Sequence, residues 1–201
     1  MKKIGITGGV GAGKSAVLAY LKEKYGAYLI VADELAKELE LPQGPCYQPL
    51  IDAFGTGILD AEGVLDKKAF AALIFSEAGK LERANAIIHP AVKEEILKRM
   101  KEEEAKGTKL FVLEAALLIE EHYDEILDEL WYVFAEEEIR IRRLAESRSY
   151  SREKAISIMK NQKSDAEFRM HCEHIIDNSG DLQETRDQID AILYSGDGML
   201  S

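Results

Sequence analysis

Residues 8–15 read Gly8-Gly9-Val10-Gly11-Ala12-Gly13-Lys14-Ser15, a fit to the pattern G-x-x-x-x-G-K-[ST] that begins seven residues into the chain. A run of this kind restricts the fold on both of its sides. Its backbone N–H groups can wrap a polyphosphate only if glycines permit close approach and unusual dihedrals, here at Gly8, Gly11 and Gly13. The run must also leave a strand and open a helix, so that Lys14 reaches the β- and γ-phosphates and the Ser15 hydroxyl faces a Mg²⁺ ion. Both flanks agree. Lys3-Ile4-Gly5-Ile6-Thr7 reads as a short apolar strand, and Ala16–Leu21 continues as a helix with positions 17, 18 and 21 on one face, ending near Gly26.

Beyond this segment, four more short apolar runs read as strands: Ala27–Val31, Leu110–Leu113, Leu130–Phe134 and His174–Ile176. Their continuous apolarity suits strands buried on both faces, which predicts a doubly wound α/β fold around a five-stranded parallel sheet. Residues 34–107, between the second and third strands, are too long for a simple crossover. Helical periodicity at Lys67–Phe75 and Ala91–Ala105 predicts a mostly helical insertion there, beside the phosphate loop, where a second substrate could sit. The expected organisation is one domain over 1–201, with a core of 1–33, 108–135 and 164–201, the insertion at 34–107 and a helical lid at 136–163.

Charge narrows the partners. With 37 acidic and 26 basic residues the net charge is −11, which argues against a general nucleic-acid or anionic-membrane surface. One segment reverses the sign: Arg140, Arg142, Arg143, Arg148, Arg152, Lys154, Lys160 and Lys163 stand against Glu146 and Glu153. Such a run is usually a solvated helix face, yet a phosphate-loop protein needs arginines to cover charge spreading over a transferring phosphoryl group. No apolar stretch long enough to span a bilayer occurs, and the N-terminus lacks the pattern of a signal peptide. Cys46 and Cys172 have neither metal-ligand nor redox spacing, so a cytoplasmic protein with free thiols is expected.

Two carboxylates draw attention by position. Asp33 directly follows the second strand, at the edge where ligands of doubly wound sheets bind. It could cap a helix over Glu34–Leu41, accept a proton from an attacking hydroxyl, or contact the metal shell. Glu114 ends the third strand and reads either as part of a metal shell or as an ordinary strand-end carboxylate. Three other patterns are set aside. Asp60-Ala61-Glu62-Gly63 fits a GTPase D-x-x-G only in sequence, since it lies in a polar turn; residues 161–165 carry one residue too many for N-K-x-D; and His171-Cys172-Glu173-His174 runs straight into a strand.

The chain resembles the dephospho-CoA kinase family over nearly its whole length. The resemblance rests on Ile6–Ser15, Ala32-Asp33, Phe54-Gly55 with Ile58-Leu59-Asp60 and Gly63, Ile74-Phe75, Ile87-Ile88-His89-Pro90, Leu117-Leu118-Ile119-Glu120, the Arg140–Arg148 stretch, Gln162 and Ile176–Gly180. It implies ATP-dependent phosphorylation of the ribose 3′-hydroxyl of dephospho-CoA, with Mg²⁺, on a P-loop fold of the nucleoside-monophosphate kinase type. It further implies that Gly9, Gly11, Ala12, Gly13, Lys14, Ser15, Ala16, Arg143 and Asn178 hold ATP, with Ser15 on the metal. Lys14, Asp33 and Arg140 would be catalytic, and Thr7, Asp33 and His89 would meet the acceptor. His89 could equally pack beneath Pro90 at the start of the next helix. The chain departs from the family in Val31-Ala32-Asp33, where a second Asp is usual, in Ala116, where Pro is usual, and in a lid spacing one residue longer. Another small-molecule kinase and a non-catalytic nucleotide switch are the rival expectations.

Overall fold

Leu110, Phe111, Val112 and Leu113 are all buried, four consecutive apolar side chains with no exposed alternate, as a strand covered on both faces requires. The computed structural model describes residues 1–195; the end of the core segment expected at 164–201 lies outside the described residues. Five strands form one sheet: β1 (Lys2–Thr7), β2 (Tyr28–Val31), β3 (Leu110–Glu114), β4 (Glu129–Phe134) and β5 (His174–Asp177), in the order β2-β3-β1-β4-β5. Each lies within one residue of its expected ends. The pairings of β1 with β3, β1 with β4, and β4 with β5 are parallel. Their registers set Ile6 opposite Glu114, Thr7 opposite Tyr132, and Phe134 opposite Asp177, so chemistry-bearing residues collect at the carboxyl edge.

The chain folds as two compact units, Met1–Leu29 with Glu103–Ser201, and Ile30–Glu102. In the first, α1 (Lys14–Tyr25) buries Val17, Leu18 and Leu21 and stops where Gly26 turns left-handed at φ 63°. Gly26 and Ala27 N–H groups then return to the carbonyls of Lys22 and Leu21. Ile4, Ile6, Phe111, Leu113, Trp131 and Ile176 form the heart of the core, each contributing about 1.5–3 kcal/mol by burial. Gly5 belongs to that packing, because a Cβ there would stand 2.5 Å from Leu130 Cδ2 and 2.7 Å from Leu127 Cδ1.

Helices α6 (Glu137–Arg148) and α7 (Arg152–Lys160) occupy most of the expected lid. Ile141, Leu144 and Ala155 are buried between them, with Val10, Tyr150 and Met159 packed against the cluster. Ser151 starts α7 by accepting from the Lys154 amide. After α8 (Asp165–His171) and β5, α9 (Leu182–Ser195) closes the unit.

The second unit is helical. α2 (Ala32–Leu39), α3 (Tyr47–Phe54) and α4 (Lys67–Ile74) precede α5 (Lys80–Ala105), whose last three residues fall in the first unit. Asp66 caps α4 with its carboxylate on the amides of Lys68 and Ala69. Phe54 and Phe70 meet edge to face at 5.6 Å. α5 corrects an expectation: the helix does not begin at Ala91 but runs through Pro90. The lost proline N–H leaves the Ala86 carbonyl without its helical donor, a cost of about 3 kcal/mol relative to alanine. A buried stripe of Ala84, Val92, Ile96 and Met100 continues across the site and outweighs that loss.

Candidate active site

The loop from Thr7 to Lys14 joins β1 to α1 at the carboxyl edge of the sheet. Gly11 and Gly13 adopt φ of 79° and 88°, a region that side-chain-bearing residues rarely enter. Gly13 is also the N-cap of α1 and provides no side chain to accept the first-turn amides, which therefore favour an anion. At Gly9 and Gly13 a Cβ would collide with the Arg140 guanidinium and the Asn178 amide respectively. Glycine there allows side chains from elsewhere in the unit to lie on the loop. Ser15 is exposed in the first turn of α1, while Ala12 is buried. The Ala16 amide bonds the Gly13 carbonyl at 3.0 Å.

Lys14 curls back over the loop. Its Nζ donates to the Gly8 carbonyl at 2.8 Å and stands 3.4 Å from Glu114 Oε1. Glu114 thus does more than end β3, since it holds the lysine across the β1–β3 pairing. Thr7 is fully buried, and its Oγ1 has no hydrogen-bond partner among the described residues.

Arg140 and Arg143 both reach the loop, and both do so through its carbonyls. Arg140 Nε donates to Val10 O at 2.8 Å; Arg143 donates to Ala12 O at 3.1 Å and to Asn178 O at 2.9 Å. Burial pushes the Arg140 guanidinium below the usual arginine range, opposed by Tyr132 and Glu137, and it stays protonated. Arg142 and Arg148 are exposed on α6, as a solvated helix face would be. Asn178 is buried, donating to Ala12 O at 2.7 Å and accepting from Thr185 at 2.9 Å. Its side chain holds the loop in place. Gln162 completes the surroundings by accepting from the Val10 amide at 3.0 Å. Sequence reading noticed Gln162 without giving it a role, because the chain separates it from Val10 by 152 positions and no local pattern joins them.

Asp33 and His89 belong to the other unit. The capping reading of Asp33 is corrected: the chain passes from β2 straight into α2, whose N-cap is Val31, so Asp33 is the second helical residue. It is exposed in the first turn, where the helix dipole favours a carboxylate. His89 is half-buried in the middle of α5.

The patterns set aside on sequence have structural uses. Asp60 Oδ1 accepts from the Glu62 and Val64 amides and closes a tight turn between Leu59 and Leu65. Burial pushes the Cys172 thiol up to about 12, and Glu173 accepts from the Leu130 amide. Among the described residues, no three His, Cys, Asp or Glu side chains are grouped so as to hold a metal ion. The oxygen donors of Ser15 and Glu114 suit Mg²⁺, which needs few protein ligands when phosphates supply the rest.

A glycine loop ending in lysine and serine, on the central strand of a β2-β3-β1-β4-β5 parallel sheet with an arginine-bearing helix against it, defines a P-loop kinase. The dephospho-CoA kinase family model matches residues 2–184. The chain belongs to that family, and it is accordingly an ATP-dependent kinase, a transferase. It is 37% identical to a dephospho-CoA kinase of Carboxydothermus hydrogenoformans over 94% of this chain and 92% of the relative. A crystal structure from Thermus thermophilus, 30% identical and matched over 97% of each chain, superposes with a TM-score of 0.81. Dephospho-CoA kinase from Campylobacter jejuni, at 19% identity, shares the fold with a TM-score of 0.65 over 96% of this chain and 95% of that one.

Proposed function

We propose that the chain transfers the γ-phosphoryl group of ATP to the ribose 3′-hydroxyl of dephospho-CoA, giving coenzyme A and ADP. The observation that carries the reading is the convergence of Lys14, Arg140 and Arg143 on one phosphate loop within a family of this activity. The amides of the loop and of the first turn of α1 cradle the polyphosphate. Lys14 leaves the Gly8 carbonyl for the β- and γ-phosphates, and Arg140 and Arg143 offset charge that builds on the transferring group.

Asp33, two residues beyond β2, orients the acceptor hydroxyl and takes its proton as the new O–P bond forms and the bond to the β-phosphate oxygen breaks. Thr7 and His89 shape the acceptor side. Asn178 holds the Ala12 carbonyl, and Ser179 and Gly180 after it border the adenine. Ser15, together with Glu114, would hold Mg²⁺, which would supply charge neutralisation on the phosphates. In this reading residues 34–107 bind the acceptor, and residues 136–163 close as a lid that keeps water from competing. Among the described residues no helix is long and apolar enough to cross a membrane, and we place the reaction in the cytoplasm.

An acceptor screen tests the assignment. With ATP and Mg²⁺, dephospho-CoA should support ADP release and give a product heavier by one phosphoryl group. Adenosine, AMP and shikimate should support much less. Faster turnover of another acceptor identifies a different small-molecule kinase, and no turnover of any acceptor identifies a nucleotide-binding module.

A further inference from the structure

Both backbone groups of Val10 face the same two side chains. Arg140 Nε donates to Val10 O at 2.8 Å, the Val10 amide donates to Gln162 Oε1 at 3.0 Å, and Arg140 Nη2 donates to that same oxygen at 3.1 Å. Three hydrogen bonds thus close a ring through the phosphate loop, α6 and the connection between α7 and α8. Its base is apolar, since Val10 also packs on the cluster of Ile141, Leu144 and Ala155 that joins α6 to α7. Gly9 gives the ring its space, because a side chain there would displace the Arg140 guanidinium.

Position 162 must offer one oxygen to two N–H donors, and a glutamate could do so with stronger, charge-assisted bonds. The cations nearby take that solution. Arg152 pairs with Glu138, Arg169 with Asp165, and Lys163 with Glu120. Among the described residues Arg140 hydrogen-bonds only to neutral acceptors, the oxygens of Val10 and Gln162, although it is half-buried and Glu137 acts on it only through space, without an ion pair. A carboxamide orients the guanidinium without cancelling its charge.

We infer that Gln162 is a positioning residue that fixes Arg140 against the phosphate loop while leaving its positive charge unneutralised for the phosphates of the nucleotide. The inference rests on the reading of Arg140 as a phosphate-contacting arginine. It accounts for an uncharged acceptor beside a half-buried guanidinium.

The test compares Gln162→Glu, Gln162→Met, Arg140→Gln and the double variant Arg140→Gln with Gln162→Glu, measuring thermal midpoint, kcat and the KM for each substrate. Gln162→Glu should keep or raise the thermal midpoint, since it gains an ion pair, yet lose at least about tenfold in kcat/KM for ATP, the scale of one misdirected phosphate contact. The KM for dephospho-CoA should stay unchanged. In the Arg140→Gln background, Gln162→Glu should add nothing beyond about twofold, because the two residues act as a unit. Normal turnover by Gln162→Glu beside an impaired Arg140→Gln overturns the role of Gln162 alone. Normal turnover by Arg140→Gln removes the phosphate reading of Arg140 and this inference with it. Should Gln162→Glu not fold, Gln162→Met decides: it has the length but no acceptor oxygen, and unaltered kinetics for ATP count against the inference.

Discussion

Lys14 Nζ lies 3.4 Å from the Glu114 carboxylate, so the lysine of the phosphate loop on β1 is tethered to the end of the neighbouring strand. Both side chains are largely covered, with relative exposures of 18% and 13%, much as in the Lys2–Glu129 pair and unlike the solvated Arg152–Glu138 pair. Lys14→Ala should still fold, losing about 1 kcal/mol with the Gly8 and Glu114 contacts, while turnover falls at least about a hundredfold. Steady-state kinetics beside a melting curve checks this. A variant of near-normal activity would take Lys14 out of the mechanism.

Asp33 provides a second separation of chemistry from stability. As the second residue of α2, not its cap, it gives the helix only a dipole interaction of about 0.3–1 kcal/mol. Asp33→Asn and Asp33→Ser should therefore melt within a few degrees of the parent and keep the KM for ATP. Phosphoryl transfer should fall about a hundredfold or more, the usual scale for a lost general base. Normal transfer by either variant overturns the assigned role.

The α6–α7 pair tests the lid. Its contacts with the loop are hydrogen bonds from Arg140 and Arg143 to carbonyls and a small apolar cluster, few enough to rearrange when ligands arrive. Amide exchange over residues 140–163 should slow when ATP and dephospho-CoA are both present. If protection is unchanged with both ligands demonstrably bound, the lid assignment fails.

A fourth prediction concerns pH. Asp190 on α9 accepts hydrogen bonds from Tyr20, Lys24 and Tyr25 of α1. Burial acts to raise its carboxyl, but the bonds from Lys24, Tyr25 and Tyr20 outweigh it and hold the group below the usual carboxylate range. A group with a depressed folded pKa stabilises above its unfolded value, about pH 4, and that contribution is lost as pH falls through the folded value. Asp190→Asn should accordingly lower the thermal midpoint by about 2–4 °C at pH 7, and the gap to the parent should narrow below about pH 4. A gap that is constant from pH 7 to pH 3 excludes the linkage.

Much of the fold could be read in advance because its signals are local. Buried parallel strands announce themselves as continuous apolar runs, and the five found here differ from the expected ones by a residue at most. Helix boundaries were less legible where burial overrode local preference. Pro90 reads as a helix start, yet the stripe from Ala84 to Met100 carries α5 through it. One reading of Asp33 makes it a helix cap, yet β2 runs into α2 without an intervening residue.

The sequence by itself determined the phosphate loop, the sheet and the family, since each depends on residue types at short, fixed spacing. Only the tertiary structure decided what the loop rests on. Val10 meets Gln162 and Arg140, Ala12 meets Asn178 and Arg143, and Lys14 meets Glu114, over separations of 100 to 166 positions in the chain. Hydrogen bonds of this kind act over about 3 Å of space and depend on no particular spacing along the chain, so nothing in the order of residues records them until the strands have brought them together.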